Sequence, residues 1–158
     1  NEDLSLNEFN LPPKEYGLVT FHRPSNVDNF DRLENIVAIL NEISTQEPII
    51  FPVHPRTKNN LLKFDLLKNL EANSNIHLSL PLGYLEFTSL CKTAKWIMTD
   101  SGGIQEESTY LGVPCLTIRE NTERPSTIAY GSNTLLGLDR EKIIATVRQI
   151  AKGEYKQS

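Results

Sequence analysis

The chain has 158 residues, 39% of them hydrophobic and 23% charged, with a net charge of −4 and an isoelectric point near 5.4. That length suffices for one domain with a sizeable core, and the acidic balance gives no general electrostatic case for nucleic acid or acidic membranes. Cys91 and Cys115 are too few for a disulfide scaffold and lack metal-ligand spacing, no apolar run is long enough to cross a bilayer, and the N-terminus has no signal-peptide hydrophobic region.

A reduced, cytoplasmic setting is the simplest expectation, with neither metal nor cofactor implied. The chain does not start with Met, and its acidic opening, Asn1-Glu2-Asp3, reads as an entry in mid-chain. Residues Asn1 to Glu15 are polar, carry Pro12-Pro13, and read as a linker. Tyr16 to Phe21 is a β-rich run, with His22-Arg23-Pro24 at its carboxyl end. Pro24 has no N–H for a sheet ladder and disfavours helix at Arg23, so a loop is expected there. Asp28 or Asn29 can cap a helix whose apolar stripe is Leu33, Ile36, Val37, Leu40 and Ile43. A second strand, Ile49 to Val53, leads into His54-Pro55-Arg56. Thr57 is then placed to cap a helix carrying Leu62, Leu66 and Leu70.

Ile76 to Leu80 is a short third strand, and Pro81-Leu82-Gly83 turns the chain into a helix bearing Leu85, Leu90 and Cys91. Trp96 to Thr99 is the fourth strand, Val113 to Ile118 the fifth, and Asn133 to Leu136 a short sixth. Asp139 caps a last helix with Ile143, Ile144, Val147 and Ile150 on its buried side. Strands alternating with amphipathic helices define an α/β fold, a Rossmann-like parallel sheet with helices on both faces. Ligands in such sheets bind beyond the carboxyl ends of the strands, at a switch in strand order.

Between the fourth strand and the helix from Ile104 to Leu111 lies Thr99-Asp100-Ser101-Gly102-Gly103. A strand, a Ser-Gly-Gly turn and a helix can make an anion site, because the helix's first amides lack partners and its dipole favours negative charge. Two glycines let a phosphate approach the main chain, Ser101 adds a hydroxyl, and Glu107 could accept both hydroxyls of a ribose. The same stretch also reads as a tight turn with a helix cap and solvated acids. Arg124, in the polar loop Arg119 to Pro125, could grip phosphate oxygens with its planar fork, and Arg119 ranks second. His22 could donate to a phosphate, move a proton or merely fix its loop. His54 is similar and more ambiguous, and His77, inside a strand, reads as structural. Phe87 reads as a core residue whose neighbouring backbone could still read a nucleobase. Adjacent Glu106 and Glu107 point about 100° apart on a helix and cannot form a dyad.

Taken together, Val19-Thr20-Phe21-His22-Arg23, Pro52 to Arg56, Pro81 to Phe87, Thr99 to Glu107, Arg119 to Pro125 and Gly131-Ser132-Asn133 resemble the UDP-N-acetylglucosamine 2-epimerase family. One departure stands out: Pro24-Ser25-Asn26 where the family commonly has a glutamate before the asparagine. The resemblance implies the C-terminal half of the two-domain GT-B architecture, so residues 1–158 would be a single UDP-binding domain without its N-terminal catalytic domain. It implies elimination of UDP to a glycal and re-addition on the other face, which interconverts UDP-N-acetylglucosamine and UDP-N-acetylmannosamine for cell-envelope polysaccharide. Ser101, Gly102, Gly103 and Arg124 would hold the diphosphate, Glu107 the ribose, and the backbone near Phe87 the uracil. His22 would approach the phosphate and sugar, and Arg23 with His54 would belong to a second, regulatory UDP-sugar site. The partners implied are UDP or its sugar, the N-terminal domain and a homodimer mate, with neither nucleic acid nor membrane. Alternatives are a hydrolysing epimerase releasing UDP and N-acetylmannosamine, a glycosyltransferase half-domain of the same architecture, and a bare nucleotide-binding module.

Overall fold

The computed structural model describes residues 14–100, 104, 111–118, 133–135 and 138–152. Six parallel strands form one sheet: β1 (Gly17–Thr20), β2 (Ile49–Pro52), β3 (Ile76–Ser79), β4 (Trp96–Thr99), β5 (Cys115–Thr117) and β6 (Asn133–Leu135). Their spatial order is β3-β2-β1-β4-β5-β6. The chain builds outward from β1 to β3, then returns to lay β4 on the other side of β1. The switch point of this doubly wound sheet therefore lies between β1 and β4. The helices among the described residues are α1 (Pro24–Val27), α2 (Phe30–Ile43), α3 (Pro55–Lys63), α4 (Leu67–Glu71), α5 (Tyr84–Thr93) and α6 (Arg140–Ala151); Ile104 and Leu111 are helical as well.

Strand side chains alternate between two cores, as a pleated sheet covered on both faces requires. Val19, Phe51, Trp96, Met98 and Leu116 pack with Leu33, Ile36 and Leu40 of α2 and Ile143 of α6. Leu18, Ile50, Ile97 and Cys115 face the other way, against Leu90 and Cys91 of α5, with Ile104 and Leu111 beside them. Gly17 pairs in register with Trp96. A Cβ on Gly17 would lie 2.1 Å from the Trp96 indole, so only glycine leaves room for that ring.

Several local expectations need correction. His22-Arg23-Pro24 is followed by a single helical turn, α1, with Pro24 at its first position, where a missing N–H costs nothing. Of the two residues expected to cap α2, Asn29 does so, its Oδ1 accepting the Arg32 N–H at 3.0 Å. His54 rather than Thr57 caps α3, through Nδ1 accepting from Arg56 N–H at 3.1 Å. Thr57 sits inside α3 and donates its hydroxyl to Phe21 O at 2.5 Å. The helix expected to carry Leu62, Leu66 and Leu70 is split at Asp65, whose φ is 59°. Leu61 is buried and Leu62 is 58% exposed, and Leu85 on α5 is 80% exposed. These leucines follow a helical period, but the elements are too short or rotated for the period to reach the core. Only residues 14 and 15 of the expected linker are described. Lys14 is anchored there, its N–H donating to Thr93 O at 2.7 Å and its Nζ to Lys92 O and Ala94 O.

Candidate functional site

The carboxyl ends of β1, β2, β3 and β4 converge on a cleft of about 170 Å³, lined by His22, His54, Pro81, Leu82, Phe87 and Ile104 among others. They arrive from three connections and from the segment after β4. His22 leaves β1, His54 caps α3 after β2, and Pro81 and Leu82 follow β3. Phe87 lies in the first turn of α5, and Ile104 is the residue that follows Gly103. The position lies beyond the carboxyl edge at the switch in strand order, where such sheets hold their ligands.

The two imidazoles face each other, with ring centroids 5.8 Å apart and planes 36° inclined. Because His54 Nδ1 accepts a main-chain N–H, the neutral ring carries its proton on Nε2 and presents a donor. Phe87 is half-buried, its ring shared between the cleft and the core beneath α5. Its own N–H is already given to Gly83 O at 2.9 Å, closing the first turn of α5. The main-chain contact to a base expected near Phe87 cannot therefore come from that N–H without opening the turn.

Beneath the cleft lies a residue whose role the motif reading did not assign. Asp100, directly after β4, is completely buried. Its Oδ1 accepts the His22 N–H at 3.2 Å, and its Oδ2 accepts the Arg23 N–H at 3.1 Å and an Asn26 Nδ2–H at 3.0 Å. His22 Nε2 lies 4.0 Å from Asp100 Oδ1, with the histidine side chain 44% exposed. Asn26 is also buried, and it reaches Ile118 O at 3.2 Å, at the exit of β5. The asparagine of the departing Pro24-Ser25-Asn26 stretch is thus retained for a tie across strands. The available signal was the type of residue: an aspartate directly after a strand and an asparagine in the short helix after another are costly to bury unless bonded.

His22, His54 and Phe87 come together in the cleft. Arg23 is half-buried and sits beside it, and His77 pairs in register with Ile50 within the sheet. Ser101, Gly102, Gly103, Glu107 and Arg124, with the second-ranked Arg119, lie outside the described residues. Among the described residues no group of His, Cys, Asp and Glu could hold a metal ion, and no helix is long and apolar enough to cross a membrane.

Fold and cleft define a Rossmann-like sheet of the GT-B type with a concave surface beyond its carboxyl edge. The family model for UDP-N-acetylglucosamine 2-epimerase matches residues 2–158, and the chain belongs to that family. A UDP-N-acetylglucosamine 2-epimerase of Methanocaldococcus jannaschii is 50% identical over 135 residues, which cover 84% of this chain and 37% of the relative. A crystal structure of the enzyme from that organism, in complex with UDP-GlcNAc and UDP, superposes with a TM-score of 0.89 at 45% identity. It covers all of this chain and 44% of its own. The Escherichia coli ADP-heptose LPS heptosyltransferase II shares the fold at a TM-score of 0.69 with 11% identity, covering 97% of this chain and 51% of its own. The chain thus spans less than half the length of these epimerase relatives.

Proposed function

We propose that the chain is the UDP-sugar-binding part of a UDP-N-acetylglucosamine 2-epimerase that interconverts the gluco and manno sugars by eliminating UDP and adding it back. The observation that carries this reading is the meeting of His22, Phe87 and Ile104 around one cleft at the carboxyl edge of a chain that belongs to this family. Ile104, which lines the cleft, follows Gly103 directly in the sequence. In this reading Ser101, Gly102, Gly103 and Arg124 hold the diphosphate, Glu107 holds the ribose, and the start of α5 borders the uracil. His22 stands at the junction of phosphate and sugar, and Arg23 with His54 serves a second UDP-sugar.

In the reaction a proton leaves carbon 2, the bond from carbon 1 to the UDP oxygen breaks, and UDP departs with the electron pair. The donors assigned here serve that departing diphosphate, where charge develops. In this reading none of them serves as the base at carbon 2, a role left to a group outside the residues named here. Titration calorimetry with UDP, UMP and uridine tests the binding role. Affinity should fall as phosphates are removed, and Arg124→Ala should cost UDP about 1.5–3 kcal/mol through a lost charge-assisted bond. Equal affinity for all three ligands would place the nucleotide elsewhere. Incubation of the full-length protein with UDP-N-acetylglucosamine in deuterated water should give carbon-2 exchange with UDP-N-acetylmannosamine as product. Free N-acetylmannosamine in its place would identify the hydrolysing reaction.

A further inference from the structure

We propose that Asp100, oriented through Asn26 by Arg32, is a positioning residue that sets His22 at the mouth of the cleft for the diphosphate of a nucleotide. The inference deepens the binding role above and rests on it. Its basis is a chain of bonds with only one self-consistent arrangement. Arg32 Nε and NH2 both donate to Asn26 Oδ1, at 3.1 and 2.9 Å. A guanidinium only donates, so the amide oxygen must face Arg32. The amide's NH2 must then face Asp100 Oδ2 and Ile118 O. Flipping that amide would set donors against the guanidinium and an oxygen against a carboxylate and a carbonyl. Arg32, on α2 and not among the residues lining the cleft, thereby selects the state in which Asp100 is held.

What Asp100 holds in turn is the main chain of His22 and Arg23. Both N–H groups point at its carboxylate, and the His22 ring lies against the same oxygen that accepts the His22 amide. The strands themselves do not need this tie. Thr20 and Thr99 already join β1 to β4 one residue earlier, hydroxyl to hydroxyl at 2.9 Å. The carboxylate adds a fixed exit direction for β1, and with it a fixed place for one imidazole. A phosphate ligand held between that imidazole and other donors depends on such placement within fractions of an ångström.

The test measures UDP and uridine affinity together with thermal stability in the full-length protein. Asp100→Asn should lower UDP affinity at least tenfold and leave uridine within twofold, because only the phosphate end meets His22. Arg32→Ala should change UDP affinity in the same sense by several fold. Asn26→Asp should match Asp100→Asn, since it sets carboxylate against carboxylate. Combining the two substitutions exchanges the groups, restores one bond between them and keeps the Arg32 partner, so UDP affinity should recover beyond the product of the single effects. Tyr16→Phe, at the far end of the sheet, serves as the stability control and should leave UDP affinity intact. Should Asp100→Asn fail to fold, Arg32→Ala and the exchanged pair carry the test. Unchanged UDP affinity in these variants, or UDP and uridine affinities falling together with stability, would overturn the proposal. A wild-type protein that binds no UDP would instead remove the binding role on which it rests.

Discussion

The two ends of β1 and β4 both bury polar groups, and they do so to different purpose. At the amino ends, the Tyr16 hydroxyl donates to Leu90 O at 2.6 Å and shares a 2.8 Å bond with Thr93 Oγ1. Trp96 Nε1 donates to Glu47 Oε2 at 2.7 Å, and Lys95 Nζ lies 3.3 Å from the other Glu47 oxygen. Each group there finds its partner inside the domain, against the apolar side chains of two cores. At the carboxyl ends the network of Arg32, Asn26 and Asp100 is equally buried at its centre but finishes on His22, which is exposed and lines a cleft. Buried polarity alone therefore marks cohesion. Polarity that runs from the interior to an open, concave surface marks a site.

The comparison yields measurements that separate cohesion from binding. The largest effect expected at the amino end comes from Gly17→Ala. Its methyl would meet the Trp96 ring at 2.1 to 2.4 Å, with the ring fully buried and unable to move outward. Overpacking of this severity should cost about 3 kcal/mol, read as a shift in the urea midpoint. Trp96→Phe in the same background should recover part of that loss, since the overlapping atoms belong to the larger indole. Next comes Glu47→Ala, which strands a buried indole N–H and removes the partner of Lys95. About 2 kcal/mol is expected, with Glu47→Gln costing less because an acceptor remains. Neither variant should alter UDP affinity at temperatures where the protein stays folded.

Tyr16→Phe should cost about 1 kcal/mol, through the Leu90 carbonyl and the Thr93 hydroxyl it leaves behind. Burial is the main cause that pushes the Tyr16 hydroxyl up to about 12. A raised folded value means its contribution is whole below the unfolded value near 10 and is lost as pH rises towards 12. Wild-type stability should therefore fall across that alkaline window more steeply than that of the phenylalanine variant.

Much of the fold was legible in the sequence because period and punctuation agreed. The apolar strands each lay where expected, Trp96 to Thr99 to the residue, and Asp139 capped the last helix through the Lys142 N–H as its chemistry suggested. Helix periods over short stretches misled. Leu62 and Leu85 fit their stripes yet stand exposed, because α3 stops at Lys63 and Leu85 lies in the first turn of α5, beyond the sheet. The candidate site was legible in part, as polar and aromatic residues after the strands, and His22, His54 and Phe87 line one cleft. The support beneath them was not. Asp100 stood inside a motif whose glycines drew the interpretation, and its bonds to residues 74 to 78 positions away leave no local spacing to detect. Asn26 stood at the end of a stretch that departs from the family's pattern, and its own amide closes the network.

The smallest effect concerns Asp28, which sits on the carboxyl side of the sheet near the cleft but faces solvent. Its Oδ1 accepts from Arg56 Nε and Asn60 Nδ2, both at 2.9 Å, and its Oδ2 pairs with the other arm of Arg56. The hydrogen bond from Arg56 is the main cause that holds this carboxyl below its ordinary value, and the same pair raises Arg56. A depressed folded value means the contribution is present above the unfolded carboxylate range near 4 and is lost as pH falls through the lower folded value. With the two side chains 39% and 51% exposed, water and salt screen most of the attraction. Asp28→Asn should therefore change stability least of the four, only above the acid range, and less still in high salt. Acid titrations of both proteins at two ionic strengths, followed by circular dichroism, read that difference. UDP affinity should not move, because neither Asp28 nor Arg56 lines the cleft or joins the chain of bonds that ends on His22. A loss of UDP binding in Asp28→Asn as large as in Asp100→Asn would show that the whole carboxyl edge acts as one unit, and the distinction between buried support and solvated neighbour would fail there.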